Sequence, residues 1–297
     1  MTSTTAPALS LPYELPTELL IDTAMARRII GQFVAGHLRA TGFSRAVLGL
    51  SGGIDSALVA YLVAETIGAD NLLCVLLPYR TSSPESRVDA EEVVSRLGCH
   101  SMLLDITPMV DGYFSTALDE ADKVSQLRRG NYAARTRMAV LYDQSVTWRG
   151  LVMGTSNKTE TLLGYTTLFG DNAAAIQPIG DLYKTQVRQL SADLGVPDSI
   201  LRKPPTADLW AGQTDEAEVG LSYAEIDRLL YWSVDRRRSH EQLLAMGFER
   251  AKIDRVEQLV AGSEFKRQTA PIAKLGTRTP GVDYLYPRRR PRPPARG

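Results

Sequence analysis

Cysteine is scarce in this sequence, and neither sign of charge is in excess. The 297 residues include 2 cysteines, Cys74 and Cys99, which lie far apart in the chain in apolar or strand-like surroundings. A disulfide framework or a cysteine-based zinc site is therefore not expected, and this usage is typical of a reducing, cytoplasmic compartment. Because 34 basic residues balance 34 acidic ones, we predict no general binding to nucleic acid, which usually requires a basic excess.

The chain also lacks a long hydrophobic run. Its longest apolar stretch, residues 57–64, is far too short to cross a bilayer, so no membrane partner is expected. Residues 1–16 have no basic region followed by an apolar core, and a secretory signal is not predicted. We expect a soluble protein with a flexible arm at 1–16, a single domain at 17–285 and an Arg/Pro-rich tail at 286–297.

Short apolar segments alternate with segments of helical periodicity. Strands are predicted at 46–50, 72–77, 101–104 and 151–153, and helices at 17–40, 54–67, 84–97, 108–121, 131–148, 183–194, 224–230, 239–246 and 250–261. Apolar strands separated by helices predict an α/β fold, an open doubly wound parallel sheet with helices on both faces and extra C-terminal helices. The segment 157–180 is rich in Gly, Thr and Asn and is predicted to be a long functional loop.

A glycine-rich turn follows the first predicted strand. Its residues are Gly49, Leu50, Ser51, Gly52, Gly53, Ile54, Asp55 and Ser56. The glycines let the backbone approach a ligand closely, and the free amides at the start of the next helix favour a phosphate group. A carboxylate repels phosphate, because both groups are negatively charged. The acidic residue of this turn, Asp55, is therefore predicted to hold Mg²⁺ between phosphates. The alternative is a tight turn whose acidic residue only complements the helix dipole.

The same turn also matches the nucleophile elbow of serine hydrolases, with Ser51 as the nucleophile. Two observations argue against that function. Only about one strand precedes the turn, and the downstream histidines, His100 and His240, have no obvious acidic partner in the expected order. Together with His37 they lack metal-ligand spacing, so we expect all three histidines to be structural.

Further segments carry a resemblance to a known family. The turn resembles the pyrophosphate loop of the N-type ATP pyrophosphatases, and Gly154-Thr-Ser-Asn-Lys-Thr-Glu160 and Pro205-Thr-Ala-Asp-Leu209 are similar to segments of ammonia-dependent NAD synthetases. The resemblance extends over about residues 31–274. It implies a carbon–nitrogen ligase that makes NAD from deamido-NAD, ATP and ammonia through an adenylate, releasing AMP and pyrophosphate. Another adenylating enzyme with a different carboxylate substrate and a non-catalytic nucleotide sensor remain alternatives.

The resemblance also implies roles for individual residues. Asp55, Lys184 and Asp171 would be catalytic, and Asp208 is an alternative to Asp171 for guiding or deprotonating ammonium. The ATP site would comprise the whole turn 49–56 with Thr155, Lys184 and Thr206. Asp55 and Glu160 would bind Mg²⁺, and Arg135 and Lys266 would contact deamido-NAD.

Three positions depart from the family pattern, in which Lys, Asp and His would stand where this chain has Leu168, Ala175 and Phe265. Contacts to deamido-NAD are therefore expected to differ in detail. The N-terminal segment is too short for an amidase domain, so free ammonia or a separate glutaminase subunit is the expected nitrogen source. The resemblance further suggests a homodimer, with the helices between Thr107 and Trp148 as contacts.

Overall fold

The computed structural model describes residues 15–117, 125–204 and 215–284. Its centre is a parallel sheet of four strands in the order β3-β2-β1-β4. The strands are β1 (Arg45–Gly49), β2 (Leu72–Leu76), β3 (His100–Leu103) and β4 (Gly150–Met153). Leu48 of β1 lies opposite Cys74 of β2 and Met153 of β4, so the strands end together at one edge of the sheet.

Helices connect and extend the sheet. They are α1 (Thr23–Thr41), α2 (Ile54–Ile67), α3 (Pro84–Leu97), α4 (Thr107–Ala117), α5 (Gln126–Trp148), α6 (Lys158–Leu163), α7 (Lys184–Asp193), α8 (Asp198–Arg202), α9 (Asp215–Val219), α10 (Tyr223–Leu230), α11 (His240–Ala245) and α12 (Arg250–Gly262). Short 3₁₀ turns occupy 17–19, 69–71 and 264–267, and a π turn occupies 231–235. Within the described ranges, every helix is too short or too polar to span a membrane.

Alternation along the strands sends side chains to two separate cores. Ala46 and Leu48 belong to a core that includes α1, α2, α3 and α7, whereas Val47 belongs to a core on the opposite face with α4 and α5. A third apolar cluster joins α6 to α10, α11 and α12. Helices therefore cover both faces of the sheet, and the predicted α/β class is confirmed.

Several segments differ from the prediction. The helix predicted at 131–148 begins at Gln126, because the Ser125 side chain caps it. The predicted helix 17–40 is a 3₁₀ turn followed by α1, because Asp22 accepts a hydrogen bond from the Met25 amide at 2.9 Å and begins the helix there. The predicted loop 157–180 contains α6, which a capping box between Asn157 and Glu160 begins. The short helices α8 and α9 were not predicted.

The two cysteines, far apart in sequence, are neighbours in the fold. Cys74 of β2 and Cys99, just before β3, are buried free thiols whose Sγ atoms lie 3.7 Å apart. The hydrogen bond with Cys99 and burial raise the pKa of the Cys74 thiol. The separation of the two cysteines along the chain thus gave no indication that they are neighbours in the fold.

Candidate functional site

A cleft of about 580 Å³ opens at the carboxyl edge of the sheet. Its walls are the turn after β1, the amino end of α3, one side of α5, the end of β4 and the loop after α6. In open parallel sheets, this edge is where ligands bind, because the connecting loops leave a crevice there. The cleft therefore identifies the candidate site.

The turn 49–56 ends at the amino terminus of α2. Gly53 is the N-cap, and among the residues that the structure describes no side-chain capping bond is found at this helix end. The Ser51 and Ser56 hydroxyls lie 3.0 Å apart, and Ser56 Oγ also accepts a hydrogen bond from the Ser51 amide at 3.2 Å. The serines thus stiffen the turn from within, and the first amides of α2 are left for an anion at the positive end of the helix dipole.

Gly52 brings the turn against α3. Its φ angle is +78°, and a Cβ atom at this position would lie 2.0 Å from the Ser86 carbonyl oxygen. A side chain is therefore excluded both by the left-handed backbone and by the close approach. The absence of a side chain lets α3 close one wall of the cleft.

Asp55, Glu160 and Lys184 converge in the cleft. The Lys184 ammonium donates to Asp55 Oδ2 at 2.6 Å and to Glu160 Oε1 at 2.9 Å. The Lys184 side chain is 4% exposed, and those of Asp55 and Glu160 are 17% and 15% exposed. One ammonium thus holds together two carboxylates that come from different helices, and the three side chains carry a net negative charge.

Asn157 joins α2, which carries Asp55, to α6, which carries Glu160. Its side-chain oxygen accepts from the Glu160 amide at 2.9 Å, and its Nδ2 donates to Asp55 Oδ1 at 2.8 Å. The residue is fully buried. A buried amide that satisfies donors and acceptors on both sides fixes the positions of the two carboxylates relative to each other.

The two carboxylates fit a hard divalent cation. Mg²⁺ prefers oxygen ligands and is commonly held by one or two carboxylates together with phosphates and waters. Asp55 and Glu160 are partly accessible from the cleft and flank the same ammonium, so both carboxylates could present oxygen ligands to one cation.

Of the two predicted substrate residues, Lys266 lines the cleft, whereas Arg135 lies outside its lining. Arg135 of α5 is exposed and donates through Nε to the Leu168 carbonyl at 3.1 Å. The Lys266 ammonium donates to the Gly164 and Thr166 carbonyls, each at 2.7 Å. Both cations thus hold the loop after α6. Burial lowers the pKa of Lys266, although the nearby negative charge of Asp171 opposes this effect.

Asp171 lies on that same loop and lines the cleft. Its Oδ1 accepts from the Thr167 amide at 2.7 Å, and the Thr167 hydroxyl donates to Asn131 of α5 at 2.8 Å. Solvent reaches Asp171 through the open cleft, yet protein atoms surround its carboxyl on most sides. This desolvation raises the pKa of Asp171, and the Thr167 amide partly offsets it.

Of the remaining predicted site residues, one lies in the cleft. Thr155 follows β4 and lines the cleft. Thr206 and Asp208 lie outside the described residues. Of the three departures, Ala175 and Phe265 are exposed, and Leu168 uses its backbone carbonyl to bind Arg135.

The histidines are remote from Ser51. His37 bonds to a carbonyl of its own helix, His100 packs on Trp148, and His240 lies 3.2 Å from Glu257. An imidazole partner for a Ser51 nucleophile is therefore absent, since all three histidines are among the described residues. His240 also groups with Asp254 and Glu257, but the Arg250 guanidinium lies 3.1 Å from its Nε2 and opposes a metal ion there.

Sequence reasoning missed several residues of the cleft wall. Lys203 donates to Ser86 at 3.0 Å and to Asp89 at 2.9 Å, which ties the end of α8 to α3. These residues have no local signature, because their contacts cross more than 100 positions of the chain. The role of Asn157 could have been found, since Asn followed three residues later by Glu predicts a capping box.

Comparisons of sequence and of structure with known proteins point to the same family. A family model described as NAD synthase matches residues 27–270. The chain is similar to the NH(3)-dependent NAD(+) synthetase of Chlorobaculum parvum, with 49% identity over 273 residues, 92% of this chain and 97% of that protein. Among solved structures, NMN synthetase from Francisella tularensis has a TM-score of 0.76 at 30% identity and covers 86% of this chain and 99% of its own. The NH3-dependent NAD synthetase from Campylobacter jejuni, in complex with the nitrate ion, has a TM-score of 0.73 at 29% identity, with 86% and 100% covered.

Proposed function

Because the chain belongs to the NAD synthase family, we propose that it is an ammonia-dependent carbon–nitrogen ligase that makes NAD from deamido-NAD and ATP. The observation that carries the site assignment is the convergence of Asp55 and Glu160 on Lys184 beside the uncapped start of α2. That arrangement suits a triphosphate and a divalent cation.

The reaction proceeds in two steps. A carboxylate oxygen of the nicotinate group attacks the α-phosphorus of ATP, and the bond to pyrophosphate breaks. Ammonia then attacks the activated carbonyl carbon, AMP leaves with the former carboxylate oxygen, and the added nitrogen loses a proton. The protein forms no covalent bond in either step, so it contributes by orienting substrates, stabilising charge and excluding water.

The turn 49–56 is proposed to bind the ATP phosphates. Its support is the rigid Ser51–Ser56 pair, the close approach at Gly52 and the free helix end at Gly53. Thr155 lines the same cleft, and we assign it and Thr206 to the ATP site with the turn.

Asp55 and Glu160 are the residues that would hold Mg²⁺. The ion would neutralise negative charge on the pyrophosphate leaving group. Lys184, whose ammonium donates to both carboxylates, would direct its charge to the phosphate oxygens, where charge develops in the transition state.

Asp171 is proposed to receive the proton of the incoming ammonium. Its carboxyl is reached by solvent from the cleft, and its raised pKa favours proton uptake. Arg135 and Lys266 are proposed to contact deamido-NAD, directly or through the loop after α6 that both of them bind. Ala175 and Phe265 cannot supply the charged contacts of the family pattern, so this loop backbone would carry more of the recognition.

Asp55→Asn tests the proposed site. The variant should retain its fold and lose deamido-NAD-dependent ATP–pyrophosphate exchange by roughly 100- to 1,000-fold, because a charged ligand of the cation is removed. Asp70→Asn is a matched control, since Asp70 is exposed in the 3₁₀ turn after α2. Normal exchange in Asp55→Asn would reject the metal role. Exchange with other carboxylates and none with deamido-NAD would favour the alternative adenylating enzyme, and ATP binding without turnover would favour a sensor.

A homodimer is also proposed. On α4 and α5, Val110 and Phe114 are buried within the chain, whereas Tyr142 and Val146 are 39% and 78% exposed. Tyr142 and Val146, together with Phe43, line a second cavity of about 300 Å³. Exposed apolar side chains around a concavity are typical of an interface between subunits.

The two free thiols and the use of ATP fit a reducing, cytoplasmic location, with ammonia free or supplied by a separate glutaminase subunit.

A further inference from the structure

Asp227 of α10 is a fully buried carboxylate outside the cleft. Its Oδ1 accepts a hydrogen bond from the Thr159 hydroxyl at 2.6 Å, and its Oδ2 accepts from the Thr185 amide at 2.8 Å. The Thr159 hydroxyl oxygen in turn accepts from the Lys184 amide at 3.0 Å. Asp227 and Thr159 therefore satisfy two amides at the start of α7.

These contacts join the two turns that carry the charged side chains of the cleft. Thr159 immediately precedes Glu160 in α6, and Lys184 and Thr185 are the first two residues of α7. Asp227 is separated from Thr159 by 68 positions and from Thr185 by 42. One side chain on a third helix thus holds the amino ends of α6 and α7 next to each other.

The burial of Asp227 is costly and calls for a compensating role. Desolvation raises the pKa of its carboxyl to about 6, although the Thr159 and Thr185 hydrogen bonds and the positive charge of Arg188 oppose this effect. Proteins seldom bury a charge without a specific partner. A packing role alone would be served by an apolar side chain of similar volume.

We propose that Asp227 is a positioning residue for the amide-forming reaction, which sets the separation of Glu160 from Lys184 through Thr159 and the Thr185 amide. This inference rests on the proposed function of the cleft. Asp227 itself touches no substrate. A small displacement of either turn would misalign the carboxylate or the ammonium with the phosphates, and misplacement by about 1 Å can lower a rate roughly 100-fold.

Two substitutions test the inference. In Asp227→Asn, an amide of the same shape can accept from only one of the two donors, and its NH₂ group faces the other. Thr159→Val keeps the volume and removes the hydroxyl, whereas Thr159→Ser keeps the hydroxyl. We expect Asp227→Asn and Thr159→Val to lower kcat about 10- to 100-fold with the KM for deamido-NAD changed less than about 2-fold, and we expect Thr159→Ser to retain the rate.

A control separates positioning from stability. Glu225→Gln removes the ion pair that Glu225 of the same helix makes with Lys252 at 2.8 Å, without touching Asp227. If lost stability alone lowered kcat, then Glu225→Gln with a similar fall in Tm would lose kcat equally, and the inference would be wrong. Its kcat should instead remain close to that of the wild type.

Hydrogen exchange in the ligand-free protein gives a readout independent of activity. The amides of Lys184 and Thr185 should exchange faster in Asp227→Asn and Thr159→Val than in the wild type. In Glu225→Gln their exchange rates should be unchanged. Unchanged exchange and unchanged kcat in both variants would overturn the inference. If the wild-type protein makes no NAD, the proposed function fails, and the exchange rates alone then decide whether Asp227 holds the two turns.

Discussion

Gly52→Ala should destabilise the protein, and the structure indicates how strongly. At φ +78° an alanine pays about 1–2 kcal/mol for the left-handed conformation. Its Cβ would also lie 2.0 Å from the Ser86 carbonyl oxygen, so the turn or the start of α3 must move. Such overpacking costs about 1–3 kcal/mol. The free energy of unfolding should therefore fall by about 2–5 kcal/mol.

Thermal unfolding followed by circular dichroism measures this change. For a chain of this size the expected fall in Tm is about 5–15 °C, and urea titration gives the free energy directly. Because Ser86 forms part of the cleft wall, movement of α3 should also raise the KM for ATP. The two effects have the same structural cause and should appear together.

Gly53→Ala is the matched control. Gly53 has φ −89°, and its added Cβ would meet only the Ser51 side-chain oxygen, at 3.3 Å. A serine side chain can rotate, so the expected loss is below about 1 kcal/mol. Equal Tm values for the two variants, or a Gly52→Ala protein within about 2 °C of wild type, would refute the reasoning, since the turn would then relax without cost.

Two further predictions concern pH and assembly. Hydrogen bonds from Lys252 and Ser222 lower the pKa of Glu225 from 4.5 to about 2. The ionised Glu225 carboxylate therefore contributes stability above pH 4.5 that is lost as the pH falls towards about 2. Replacement by Gln should flatten the pH dependence of urea unfolding in that window, and an unchanged slope would contradict the assigned cause. Val146→Glu should convert a dimer to a monomer in sedimentation, whereas Val88→Glu, at an exposed position of α3, should not; a wild-type monomer would reject the dimer.

The sequence predicted those elements whose ends are marked locally. The bounds of α2 and α3 match the prediction at both ends. Gly53 precedes α2, Pro84 opens α3, and Gly68 and Gly98 end the two helices. These signals act within a few residues, so one sequence suffices to find them. The apolar strands between them predicted the parallel sheet for the same reason.

Boundaries that depend on distant contacts were predicted less well. The start of α1 at Thr23 is marked locally by the N-cap Asp22, which the prediction missed, whereas Thr17–Leu19 forms a separate turn whose Leu19 is buried. The carbonyl of Leu19 accepts hydrogen bonds from Gln186 and Gln189 of α7. No pattern near position 17 reveals partners that lie about 170 positions away.

The sequence by itself determined the glycine-rich turn, the parallel α/β sheet and the residue types of the proposed phosphate and Mg²⁺ sites, because these follow from local periodicity and chemistry. Only the tertiary structure decided that Lys184 meets Asp55, 129 positions away, and that Asp227 supports the turns of Glu160 and Lys184. Side chains on separate helices meet when the helices pack, and packing depends on the whole core rather than on any one segment.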